Sequence, residues 1–220
     1  MNKIIKLTAV IGLTASSIAV ADNNRLLSSA NVTMPPSSYF SSEEYNRGTN
    51  PVADPGFEGG SPNSAWDEFS TNFGSPICDE GLCGNGGTAS GPNSGTFWAW
   101  LGGIADSEVA SVSQSVTFPN GSADLTFMLN VPACDSADDF MSVQIDGNEV
   151  FRIQGDDATC GTDAYTMKTV DVSAFSDGGA HTILFTSEFF ATNGAVTNFM
   201  LDDIAIEGVV PVELMNFSVE

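Results

Sequence analysis

The run "NFMLDDIAIEG", residues 198–208, sets two carboxylates, Asp202 and Asp203, back to back in an otherwise apolar stretch. Burying an unpaired carboxylate is costly, so the pair calls for a reason. Adjacent residues of a strand point to opposite faces, which separates the two acids and removes a shared-proton dyad. Strict alternation groups Met200, Ile204 and Ile206 with Asp202, and Phe199, Leu201 and Ala205 with Asp203. Each carboxylate would then stand among apolar neighbours. A hard cation such as calcium, held by carboxylate and backbone oxygens, would neutralise that charge. A solvent-facing strand end with one aspartate capping a turn is the other reading, and the residues alone leave both open.

The next chemistry is aromatic. In "SGTFWAWLGG", residues 94–103, Trp98 and Trp100 share one face while Phe97, Ala99 and Leu101 share the other. Two exposed indoles at that spacing could stack pyranose rings, but a strand buried on both faces has the same pattern. Trp66 and Tyr165 are weaker ligand-binding candidates, with Tyr165 in "CGTDAY" expected beside an exposed loop. His181, the single histidine, follows a Gly-Gly turn and is expected as an exposed strand-end residue. No G-x-S-x-G elbow is present to give it an activated serine, and no pair of acids stands out as a glycosidase couple. No residue is assigned a catalytic role. The acidic loop "DSADDF", residues 135–140, lacks EF-hand spacing and is expected to be solvated.

Four cysteines in an exported chain are read as two disulfides. Three pairings are open, and the short "CDEGLC" spacing favours Cys78 with Cys83. Cys134 and Cys160 would then tie the ends of a strand pair together. One histidine and these spacings do not make a zinc site.

These residues have to be positioned by strands. "ASVSQSVTF" places Ala110, Val112, Gln114, Val116 and Phe118 on one face; "LTFMLNV" does the same for Leu125, Phe127, Leu129 and Val131; "MSVQI" for Met141, Val143 and Ile145. The period is 2 throughout, with frequent Gly, Asn, Asp and Pro turns. About eight or nine short antiparallel strands are expected, an all-β sandwich of the jelly-roll type. Residues 54–208 form the expected domain, preceded by a Ser/Pro-rich leader or linker at 22–53. The stretch 209–220, "VPVELMNFSVE" with its preceding valine, is a C-terminal strand or the start of a following domain. It resembles the "LPVELxSF" run that opens fibronectin-like domains in secreted bacterial multidomain proteins, which implies further domains as partners.

Residues 1–21 read as a secretory signal: Lys3 and Lys6, an apolar stretch from Leu7 to Val20, and Ala19-Val20-Ala21 before the cleavage point. The chain carries 28 acidic and 6 basic residues, and losing Lys3 and Lys6 takes the net charge from −22 to about −24. Such a surface repels nucleic acid, anionic lipid and polyanionic substrates. The signal's apolar stretch is too short and too polar for a membrane anchor. A secreted, extracellular, bacterial protein without membrane insertion is expected.

"DPGFEGGSPNSAW", residues 54–66, together with the closing "LDDIAIE", resembles the β-jelly-roll carbohydrate-binding modules of bacterial cellulases and xylanases. Those modules, of the family 4, 9 and 22 kind, open with an "N-x-GFE-x-G…W" run and close with "…IDDVxL". "SQSVTFPNGSADLTFML", "VQIDGNEVF" and "VDVSAFSDGGAHTILFTSE" resemble the middle strands of the same galactose-binding-like sandwich. The resemblance spans about residues 54–207. It implies a structural calcium held by Glu58 and Asp202, with Asp203 the next candidate. It also implies a non-enzymatic module that binds glycan or cell-surface polysaccharide, or serves adhesion. Alternatives are an interaction module of an exported multidomain protein, such as a protease appendage or surface filament, and a jelly-roll polysaccharide hydrolase or lyase.

Overall fold

The expected inward faces are inward. Ala110, Val112, Gln114, Val116 and Phe118 are all buried, as are Leu125, Phe127, Leu129 and Val131, and Met141, Val143 and Ile145. The computed structural model describes residues 49–84, 91–190 and 196–209. Chain contacts divide the protein into Met1–Glu43 and Glu44–Glu220, and every described residue belongs to the second unit. The secretory signal and the terminal "PVELMNFSVE" lie outside the described residues.

Ten strands form among the described residues: β1 (Asp67–Ser70), β2 (Ile77–Cys78), β3 (Trp98–Gly102), β4 (Glu108–Thr117), β5 (Ser122–Asn130), β6 (Phe140–Ile145), β7 (Asn148–Gln154), β8 (Thr166–Asp171), β9 (Ala180–Phe189) and β10 (Asn198–Val209). Among the described residues helix is confined to α1 (Glu80–Cys83) and a 3-10 turn at Ser173–Phe175. One sheet runs β1-β4-β9-β6-β7 and the other β2-β3-β10-β5-β8, all pairs antiparallel. The neighbours are mostly not consecutive in sequence, as a jelly-roll sandwich requires. They are called here the β4 sheet and the β10 sheet.

The core lies between them and is threaded by aromatic contacts. Phe57 meets Trp66 at 5.2 Å between ring centroids, Trp66 meets Phe185 at 6.4 Å, and Phe185 meets Phe127 at 5.3 Å. The packed body begins before the Asp54 boundary read from the sequence. Val52 is buried, and Asn50 donates from Nδ2 to the Ile204 carbonyl at 2.9 Å. Gln114, the polar member of an inward face, explains the attachment: its amide accepts from Ala53 N at 2.8 Å and donates to Ala53 O at 2.9 Å. Both ends of that amide are satisfied, so its burial costs little.

Two disulfides are present, Cys78–Cys83 and Cys134–Cys160. The second ties the chain leaving β5 to the chain entering β8, which are paired neighbours. Among the described residues no helix is long and apolar enough to cross a membrane.

Candidate functional site

The aspartate pair does not obey the alternation expected of it. Between Asp202 and Ala205 the register against β5 slips, with Asp202 opposite Met128 and Ala205 opposite Thr126. One extra residue is accommodated by a bulge, and Asp203 takes a left-handed backbone with φ +47°. Inward parity therefore switches: Phe199 and Leu201 before the bulge, and Ile204 and Ile206 after it, all join the core. Both aspartates are released from the core to the outer side of the β10 sheet. The expectation that each carboxylate sits on a different face is corrected by this bulge.

What they meet there is one segment of chain. Asp202 Oδ2 accepts from the amides of Asn93 at 2.7 Å and Ser94 at 3.0 Å, and Oδ1 accepts from Asp203 N at 2.7 Å. Asp203 accepts from Asn93 Nδ2 and Ser94 Oγ, each at 2.7 Å. Glu58 holds the other end, accepting from Thr96 N at 2.9 Å and Phe97 N at 3.1 Å. Gly95 sits between these grips with φ +65°, and a Cβ there would collide with the Glu58 carboxylate. The three acids singled out from the sequence thus pin residues 93–97 to the last strand and the first turn.

Asp202 is fully buried. Burial pushes its carboxyl up to about 6, and the Asp203 charge adds to the rise while the amides of Ser94, Asp203 and Asn93 oppose it. Gly56 leaves room in front of the pair: a Cβ there would stand 3.4 Å from Asp202 Oδ1 and 3.5 Å from Asp203 Oδ1. Two carboxylates facing one bare backbone position suit a hard cation. The Glu58 oxygens are turned to the Thr96 and Phe97 amides, just as those of Asp202 and Asp203 accept from Asn93, Ser94 and the Asp203 amide. Among the described residues no three acidic, histidine or cysteine side chains form a metal cluster. All three acids thus act as loop anchors, and an ion at the pair would have to use the lone pairs that these hydrogen bonds leave over.

The pinned segment leads directly into the aromatic strand β3. Trp98 and Trp100 do share the outer face of the β10 sheet, but Trp98 is fully buried with Cys78 and Met200. An exposed two-tryptophan platform is therefore ruled out. Trp66 is also withdrawn as a ligand contact, since it is buried in the core and its Nε1 donates to Asp54 O at 2.9 Å. Tyr165, expected to be exposed, is half-buried against the same cluster, and its hydroxyl donates to Gly91 O at 2.9 Å. Burial, and then the charges of Asp202 and Asp203, hold its phenol far above the usual range. Trp100 alone keeps a half-buried ring beside a pocket at the sheet edge.

The outer face of the β4 sheet is different. Its rows are read across the strands from the register: Gln154, Phe140, Glu188 and Val109 in one, and Arg152, Ser142, Thr186, Ser111 and Phe69 in the next. The Arg152 guanidinium stacks 3.8 Å from the Phe140 ring centroid, a cation–π contact. Glu149 steadies it, accepting from Nε at 3.0 Å and from Nη2 at 2.7 Å. Among the described residues Nη1 has no hydrogen-bond partner. Phe140, Arg152 and Gln154 line a groove of about 420 Å³ with Ala137, Asp138 and Phe190. Sequence reading missed this face. Its signal lies in "FMSVQIDGNEVFRIQ", where the outward positions of a hairpin carry Phe, Gln and Arg rather than plain Ser and Thr.

Other acids have structural partners. His181 is not a free strand end: Nδ1 lies 2.7 Å from Asp146 Oδ2 and Nε2 lies 3.1 Å from Asp177 Oδ1. Both nitrogens are occupied, which leaves none to activate a serine. Within the acidic loop Asp139 is buried, accepting from Phe190 N at 2.9 Å and Thr197 Oγ1 at 2.6 Å. Glu108 is buried as well and accepts from Ser70 Oγ, Asn72 N and Asn72 Nδ2.

No family model matches the chain, and no curated protein matches it. Among solved structures it is similar to TmCBM61 in complex with β-1,4-galactotriose, at 18% identity and TM-score 0.50, covering 72% of this chain and 97% of that one. The chain has a jelly-roll β-sandwich fold, similar to that of this carbohydrate-binding module. Other matches are the CBM22-1 xylan-binding domain of Paenibacillus barcinonensis Xyn10C, at 17% identity and TM-score 0.39, covering 71% and 93%. The K1 cleaved adhesin domain of Lys-gingipain from Porphyromonas gingivalis W83 matches at 16% identity and TM-score 0.46, covering 69% and 94%. A cyclase from Fischerella sp. TAU also matches, at 12% identity and TM-score 0.43, covering 72% and 95%. The match at TM-score 0.50 supports the fold, and a fold alone does not separate binding from catalysis.

Proposed function

We propose that the protein is an exported, non-catalytic carbohydrate-binding or adhesion-type module whose glycan lies along the outer face of the β4 sheet. The observation that carries this is the Phe140–Arg152 groove. It offers an aromatic ring, a preoriented guanidinium with donors to spare, and the amide of Gln154 on a rigid sheet. A pyranose needs both an apolar surface for its C–H face and planar donors and acceptors for its hydroxyls. A neutral glycan is favoured, because the chain's net charge of −22 repels polyanions. Calcium belongs to this proposal as a structural ion at Asp202 and Asp203, with Glu58 anchoring the adjoining segment. Bound there it would supply the positive charge that the two carboxylates lack.

The test is retention of the purified protein on insoluble or gel-embedded neutral polysaccharides, β-1,4-galactan and xylan among them, with and without calcium. Wild type is expected to be retained, and Arg152→Ala and Phe140→Ala to lose at least about tenfold in affinity, the scale of one buried stacking or charge-assisted contact. Failure of the wild type on every glycan in both conditions removes the proposal.

A further inference from the structure

Trp100 is the aromatic residue that recognition on the β4 sheet leaves unused. It forms one wall of a pocket of about 480 Å³ at the edge of the β10 sheet, beside β2. Phe73, Pro76, Ile77, Leu82 and the Cys78–Cys83 disulfide make most of the remaining surface. The volume is within the range of small-molecule sites. The indole is fixed in place. Its Nε1 donates to Asn198 Oδ1 at 2.8 Å, and the Gly103 backbone, at φ +84°, passes so close that a Cβ would stand 2.8 Å from the ring. A ligand therefore meets a wall that does not have to be ordered on binding.

The hydroxyl donors of this pocket and several of its amides are already committed. Ser61 Oγ donates to Glu68 Oε2 at 2.7 Å, and Ser75 Oγ donates to the same carboxylate. The Trp100 amide donates to Pro76 O at 2.8 Å and the Gly103 amide to Thr197 O at 3.3 Å. Leu82 N and Cys83 N donate to the Asp79 carbonyl. A sugar entering here would lose water from its hydroxyls and find those donors occupied, which is unfavourable for each group left unpaired. An anion would meet a protein of net charge −22. What does face the entering molecule is apolar: Phe73 is 59% exposed and Leu82 is 74% exposed. Large apolar side chains held in the open around a concave site mark a binding surface.

We propose that this pocket is a second ligand site, separate from the glycan face, for a neutral apolar ring, aromatic or alicyclic, that needs no hydrogen bonds. The disulfide links residues five positions apart and so holds Leu82 of α1 beside the same pocket as Trp100. The inference does not depend on glycan binding.

The test uses the whole exported chain and N-phenyl-1-naphthylamine, a neutral probe whose emission rises in apolar surroundings. Wild type is expected to give a saturable rise. Leu82→Asp and Phe73→Ser are each expected to weaken it about tenfold or more, the scale of one apolar side chain removed from contact. Both side chains are largely exposed, so unchanged thermal melts will separate a lost site from a lost fold. Galactotriose at millimolar concentration should not displace the probe. Absence of saturation, equal affinity in Leu82→Asp, or displacement by the sugar would each overturn the assignment.

Discussion

The two outer faces of this sandwich start from the same strand pattern and end in opposite states. On the β10 sheet, outward Trp98, Met200 and Asp202 are buried: Asp202 accepts from the Asn93 and Ser94 amides, and Trp98 and Met200 pack with Cys78, Trp100 and Tyr165. On the β4 sheet, outward Phe69, Val109, Arg152 and Gln154 reach solvent. The difference teaches that side-chain alternation assigns a residue to a face, while packing from other segments decides whether that face meets water. Carboxylates hold one such segment here, using the orphan amides of a loop that has no strand partner. Buried polar groups of this kind are stabilising only when each is satisfied.

The sharpest way to break the contrast is to remove the grip. Asp202→Ala leaves the amides of Asn93, Ser94 and Asp203 without their acceptor, and is expected to cost about 3 kcal/mol or more. Gln144→Ala, at a half-buried outward position of the β4 sheet, is expected to stay within about 0.5 kcal/mol. Urea denaturation of both variants compares them directly. Equal and small losses would show that the segment is held by something else.

Calcium is the next lever. An ion present at 100 times its Kd adds about 2.7 kcal/mol, which for a domain of this size is a shift in Tm of roughly 5–10 °C. Adding a chelator to the native protein should lower Tm by that order, and Asp203→Asn should abolish the response. An unchanged melt would leave the pair as a purely hydrogen-bonded clamp. A smaller effect is expected from Gly95→Ala, about 2 kcal/mol. A side chain at φ +65° is strained, and its Cβ would push Glu58 off the Thr96 and Phe97 amides. If Gly95→Ala melts like wild type, Glu58 does not hold the segment.

Much of this was legible in the residues. Period-2 runs located the inward faces of β4, β5 and β6, and "CDEGLC" located the local disulfide. "GFE" and "LDD" named the acids that converge on one segment. The bulge at Asp203 was not legible, because an apolar run with one extra residue still reads as alternation on either side of the slip. Nor was the burial of Trp98: its neighbours in space come from residues 78, 165 and 200, and a strand's own sequence does not say what will lie over it. The Phe140–Arg152 groove was missed for a related reason. Phe140 lies on β6 and Arg152 and Gln154 on β7, and only the register of that hairpin brings them side by side.

The smallest effect tests a link at the edge of the open sheet. Asp146 lies in the β6–β7 turn at φ +50°, Asp177 precedes β9, and His181 stands between their carboxylates. A neutral imidazole carries one proton and can donate to only one of them, so both contacts are favourable only for the imidazolium. Hydrogen bonds to Asp146 and then Asp177 raise the His181 pKa, and the bond to His181 is the first cause that lowers each aspartate. A raised folded-state value means that the native protein binds this proton more tightly than the unfolded chain. The stabilisation is therefore complete below about 6.5 and is lost as pH rises through the folded value. The lowered aspartates act oppositely, giving stability above about 3.9 that is lost only in stronger acid. Exposure of both aspartates keeps the effect small. Between pH 7 and pH 8.5, where Asp202, at about 6, is already ionised, Tm should fall by no more than a few degrees, and His181→Gln should flatten that slope while lowering Tm at pH 6. A slope that survives in His181→Gln would place the titrating group elsewhere and reduce the His181 contacts to packing against Phe118 and Phe175.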